Sequence, residues 1–148
     1  MADVSKTGTP SLSTPAPRPP ETITGLLAGE AIAAGDAVYL KTSDGLVYLA
    51  DGSAADELAE AIGLACTAVS SGEPITIARF GSGLMFAYGP NVSGTATPAG
   101  NLLYIGAAAG SLANAATTGG DIAVAWSVGD GRICLDTPPF ANAPAAAT

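Results

Sequence analysis

The chain has 148 residues, with 13 acidic against 5 basic side chains, a net charge of −8 and no histidine. That balance argues against a nucleic-acid binder or a protein of anionic membrane surfaces, both of which need a basic footprint. The missing histidine removes the commonest general base and a common metal ligand.

Residues 1–20 form a segment of their own. Ser, Thr and Pro dominate it, and it has no hydrophobic periodicity. Pro15, Pro17, Pro19 and Pro20 fix φ and remove backbone donors. The stretch is therefore expected to be a flexible, extended arm that orders only on binding. Asp3, Lys6 and Arg18 give it a slight positive charge, on an otherwise acidic chain. It lacks the apolar segment of a secretory signal.

From residue 21 the pattern is β-like. Gly25, Gly29 and Gly35 interrupt any helix in 21–36. Asp36, Val38 and Leu40 open a strand, Ser43-Asp44-Gly45 makes a turn, and Leu46 to Ala50 return. Asp-Gly between apolar runs is a strong hairpin signal, because Gly accepts the positive φ of a tight turn. The stretch 52–63, "GSAADELAEAIG", is the one helix-like segment, expected to give two turns at most with Ser53 as its cap. Strands follow at "IGLACTAV", at "ITIARFG" with Ile75 and Ile77 on one face, and at "SGLMFAYGP". Residues 91–100 read as a loop, and strands resume at "NLLYIG", "DIAVAWSV" and "RICLD". The Pro- and Ala-rich tail, 137–148, is expected to lie over the surface.

The sequence echoes itself at an offset of 65. Residues 34–51, "AGDAVYLKTSDGLVYLAD", return as residues 99–116, "AGNLLYIGAAAGSLANAA". Gly35 and Gly100, Tyr39 and Tyr104, and Gly45 and Gly110 coincide. The second copy loses its charges, with Lys41, Asp44 and Asp51 replaced by Gly106, Ala109 and Ala116. Its bland hairpin is the better candidate for burial against a neighbour, since burying unpaired charge is costly. The expected fold is all-β, a small antiparallel β-barrel or sandwich with one short helix and an extended N-terminal arm. A body at 21–136 would contain repeat-like halves at about 30–83 and 95–136, giving two similar β-units or one barrel of two halves.

No catalytic constellation emerges. Lys41 lies beside a turn and Lys6 in the arm, so a Ser-Lys dyad has no support. Asp56, Glu57 and Glu60 read as a solvated acidic face. The GxG in "FGSGLM" and "VGDGR" lacks the context of a phosphate loop. Cys66 and Cys134 lie apart in apolar runs and read as small hydrophobes; a disulfide is not required and a zinc site is not indicated. Catalytic, cofactor and metal residues are therefore none, and the protein is expected not to be an enzyme. A compact acidic β-body with an arm fits a protein whose work is attachment.

The run "AGEAIAAGDAVYL" and "DGLVYLA", then "AIGLA", then "SGEPITIARFG", resembles the capsid decoration, or cement, proteins of tailed bacteriophages. The resemblance covers residues 22–83. It implies a β-rich domain, forming a homotrimer, on the outer capsid surface of a virion, after synthesis in the host cytoplasm. Its partner would be the major capsid protein, which it would hold against internal DNA pressure. By position, Pro15, Pro17, Arg18, Pro19 and Pro20 would contact the capsid. The alternative is a carbohydrate-binding or adhesin-like module, which needs Trp126, Tyr88 and Tyr104 exposed together.

Overall fold

The computed structural model describes residues 2–13 and 21–136. Nearly all its regular structure is short antiparallel strand. Two strands, β1 (Asp3–Val4) and β2 (Ser11–Leu12), lie in the N-terminal segment. The first half then supplies β3 (Thr22–Leu27), β4 (Ala37–Leu40), β5 (Val47–Leu49), β6 (Gly63–Ala65) and β7 (Pro74–Arg79). The second half supplies β8 (Met85–Ala87), β9 (Asn91–Val92), β10 (Thr95–Ala96), β11 (Leu102–Ile105), β12 (Leu112–Ala113), β13 (Ala125–Gly129) and β14 (Arg132–Cys134).

The first half forms a five-stranded sheet in the order β3-β7-β6-β4-β5. Successive side chains along its strands point to opposite faces. Val38, Val47, Ala65, Ile75 and Ile77 face one way and form an apolar cluster with Ala28 and Ile32. The sheet curls around this cluster until its edges meet. Ala28, just past β3, bridges to Val47 of β5 in parallel, and the Gly29 amide donates to the Val47 carbonyl at 2.8 Å. Curling removes the free edges that invite aggregation.

The second half repeats this plan. Its strands run β12-β11-β13-β14-β8 within a seven-stranded sheet, the order β5-β4-β6-β7-β3 over again. The register matches as well. Tyr39↔Tyr48 and Leu40↔Val47 have counterparts in Tyr104↔Ala113 and Ile105↔Leu112. Leu64↔Ala78 and Ala65↔Ile77 correspond to Trp126↔Cys134 and Ser127↔Ile133. Ile23↔Ile77 corresponds to Phe86↔Ile133. The glycines explain why the halves turn alike. Gly35 and Gly100 have φ of 83° and 88°, and Gly45 and Gly110 have 73° and 77°, which side chains with a Cβ seldom adopt.

A larger apolar cluster joins the two sheets. Phe86, Leu103, Ile105, Leu112 and Ile133 of the seven-stranded sheet share it with Ala37, Tyr39, Leu64 and Ala78, the other face of the five-stranded sheet. The first sheet is thus buried on both faces, which its small residues (Ala37, Gly63, Ala78) permit.

Three expectations need correction. Residues 2–13 are strand and tether, with Val4 in the core, rather than a free arm. The helix of 52–63 is a single 3-10 turn at Glu57–Ala59, capped by Asp56, not Ser53: the Asp56 carboxylate accepts the Leu58 amide at 3.1 Å. The loop is pinned from outside. The Gly119 amide donates to the Gly52 carbonyl at 2.9 Å, and Gly119 packs against Ala54 and Ala59, leaving no room for a wider helical turn. Residues 91–100 contain the hairpin β9–β10. Its turn residues Ser93 and Gly94 both have positive φ (51° and 85°), a type I′ geometry usually signalled by Asn-Gly.

Candidate functional surface: the N-terminal strap

Residues 2–13 lie along the second half as one irregular strand. Ser5 bridges antiparallel to Asn91, Ser11 pairs with Ala87 and Leu12 with Phe86, and the Ser13 amide donates to the Met85 carbonyl at 2.7 Å. The beginning of the same strand pairs on its other side with β12, Asp3 opposite Ala113 and Val4 opposite Leu112. The strap therefore joins the two edges of the seven-stranded sheet.

Its position follows from the repeat. Asn91 stands as far past Phe86 as Ala28 stands past Ile23, and Leu112 is the counterpart of Val47. In the first half Ala28 and Val47 bridge directly. In the second half their counterparts stand apart, and the strap fills the gap. An inserted strand antiparallel to both neighbours leaves those neighbours parallel, as Ala28 and Val47 are.

Side chains lock the strap in place. Val4 is 2% exposed and packs in the larger cluster. The Lys6 ammonium pairs with the Asp36 carboxylate, whose other oxygen accepts the Ala33 amide at 2.9 Å. Pro10 is buried against Gly35, and Thr7 lies against Gly89. A Cβ at either glycine would collide with the strap, so both sites are shaped to its passage. A cavity of about 290 Å³ remains beside it, lined by Asp3, Lys6, Asp36, Tyr88 and Ser111 among others.

Of the residues expected to contact a capsid, Pro15, Pro17, Arg18, Pro19 and Pro20 all lie outside the described residues. The charged turn of the first hairpin, Thr42 to Gly45, is exposed. The bland hairpin has found its neighbour inside the chain. The Ala37 amide donates to the Gly110 carbonyl at 2.9 Å, and the Gly110 amide donates to the Ala50 carbonyl at 2.7 Å. Small residues allow that close backbone approach, and Gly110 sits against Asp36 and Leu49. Tyr88 is wholly buried, so Trp126, Tyr88 and Tyr104 do not form an exposed aromatic platform. Burial also pushes the Tyr88 phenol well above its ordinary value.

Charge is unevenly spread. Nine of the thirteen acidic residues fall between residues 21 and 83. At the first hairpin, Tyr48 donates its hydroxyl to Asp44 at 2.7 Å, and Lys41 lies 5.1 Å from the Tyr48 ring centre. The Tyr48 hydrogen bond, and after it the Leu46 amide, hold the Asp44 carboxyl below the usual carboxylate range. Tyr48→Phe should therefore move the Asp44 titration upward toward that range, read from its side-chain carbon shift against pH. The sign follows from linkage. A carboxyl depressed by folding adds stability above its unfolded pKa and loses it as pH falls through its folded value. An Asp44 titration unmoved by Tyr48→Phe would sink this assignment.

Both thiols are free, and burial raises each of them, so neither is primed as a nucleophile. Among the described residues no three His, Cys, Asp or Glu side chains converge as metal ligands would. The sequence signal for the strap was slight. A lone valine and a lysine two residues on, in a Ser- and Thr-rich run, carry no periodicity. No protein-family model matches the chain, and no curated protein shows significant similarity to it.

Proposed function

We propose that this protein is a capsid decoration protein, which binds the outer face of a phage shell as a trimer and stabilises it through the major capsid protein. One observation carries the reading. The stretch that resembles such proteins, residues 22–83, coincides with a complete structural unit, the curled sheet from β3 to β7. Charge is consistent with that placement. A strongly acidic first half does not adhere to DNA, and its charge keeps free copies soluble.

The test is addition of purified protein to expanded capsids that lack it, read by co-sedimentation and by cryo-electron microscopy. New density on the outer shell at three-fold positions is expected, together with a higher temperature of capsid rupture. Absence of the chain from the pelleted capsids would overturn the reading. The role of Pro15 to Pro20 is tested separately by replacing residues 14–20 with a Gly-Ser run. Occupancy should fall while the unfolding curve stays put. Deleting all of 1–20 is the wrong test, because residues 2–13 belong to the fold.

A further inference from the structure

We infer that the gap filled by the strap is a strand-accepting site, and that its partner in an assembly is the N-terminal strand of a second copy of this chain. The site exists because the second half of the repeat is open where the first is shut. Asn91 and Leu112 offer backbone groups to an incoming strand, whereas in the first half the chain at Ala28 lies directly beside Val47, the Gly29 amide donating to the Val47 carbonyl. Nothing in that geometry requires the incoming strand to come from the same molecule.

The site specifies its occupant. It takes a β-branched residue among Phe86, Leu112 and the rest of the larger cluster, which Val4 supplies. Two residues on it takes a cation against Asp36, which Lys6 supplies. It then takes a narrow residue over Gly89 and a proline over Gly35, which Thr7 and Pro10 supply. The sequence that meets this list is the chain's own N-terminus, so a second copy is the fitting donor. Asp3, Ser5, Thr7, Gly8, Thr9 and Ser11 are exposed, and only Val4 and Pro10 are buried along its length. A segment held at so few points can open apart from the rest of the fold, at the cost of the contacts that hold it. Exchange remakes every contact between copies that it breaks within one, so the added cost is association, which protein concentration offsets. The inference stands apart from the capsid reading, since it concerns copies of this chain alone.

Two single-cysteine chains test it, each in a Cys66→Ala, Cys134→Ala background. One carries Ser5→Cys and the other Asn91→Cys. Ser5 and Asn91 exchange both backbone hydrogen bonds, at 2.7 and 3.0 Å. Cα atoms in such pairs lie at about 5.5 Å, within disulfide range. The full-length chains are mixed at high concentration, allowed to equilibrate and oxidised. If strands exchange, the covalent heterodimer should exceed the two homodimers by about fivefold or more, far above chance pairing. Adding Val4→Asp to the chain bearing Ser5→Cys should abolish that excess, because the donor then carries a charge into the apolar site. Far- and near-ultraviolet circular dichroism matching the parent chain verify that each acceptor is folded. Heterodimer at or below the chance yield, with folded chains, overturns the inference, as does an excess that Val4→Asp leaves intact.

Discussion

Val4→Asp should cost about 3 kcal/mol or more of unfolding free energy, a large fraction of a small domain's net stability. Val4 is 2% exposed, packs in the cluster that joins the two sheets, and sits opposite Leu112. A carboxylate there has no cation beside it in the cluster, and the strap can avoid burying it only by leaving the site. Leaving unpairs β12 and Asn91 and exposes the cluster's edge. Urea denaturation of the full chain checks this, and the midpoint should fall with little change in slope. Val4→Ala is the informative companion. It keeps the strand and removes two methyl groups, so about 1–2 kcal/mol is expected. If both variants unfold like the parent chain, the strap contributes nothing to the fold, and the account of the second half fails with it.

Gly63→Val should be similarly severe, at about 3 kcal/mol, for a different reason. A Cβ at Gly63 would fall inside the Ala78 carbonyl group and against Ile77. Those atoms belong to β7, which pairs with β6 through Gly63↔Arg79 and Leu64↔Ala78. Backbone cannot step aside as a flexible side chain would, so the added atoms must break pairing in the centre of the five-stranded sheet. The repeat supplies the control. The counterpart of Gly63 is Ala125, where a methyl group is already accommodated and fully buried. Ala125→Gly should cost only about 1 kcal/mol, from chain entropy and a lost methyl contact. Equal effects at the two sites would show that the halves pack alike there, against the contacts described.

Much of this architecture was legible in the residues. The hairpin of β4 and β5 announced itself through alternation and Asp44-Gly45, because both signals are local and backbone sterics enforce them. Its echo in β11 and β12 was legible because the same glycines recur where the chain must take positive φ. Ile75 and Ile77 do share a face and a cluster. Other readings failed where a distant partner decided. The turn of 52–63 has helix-forming residues, but residues 117–120 hold the loop too tightly for more than one narrow turn. The small residues of the bland hairpin serve a close approach to Ala37 and Ala50, contacts that no local pattern announces. Tyr88 was expected within a strand, but β8 ends at Ala87, and the burial of Tyr88 depends on residues distant along the chain.

The class of the fold, the main hairpins and the doubling of a β-unit could be read from the residues alone. Each of these rests on interactions among residues near one another along the chain, where alternation and turn chemistry act. What residues 2–13 are is settled by long-range contacts alone. Their strands are two residues long and have no pattern of their own. They are strands because Asn91 and Leu112, close to a hundred residues away, present unpaired edges and an apolar gap that this stretch alone completes.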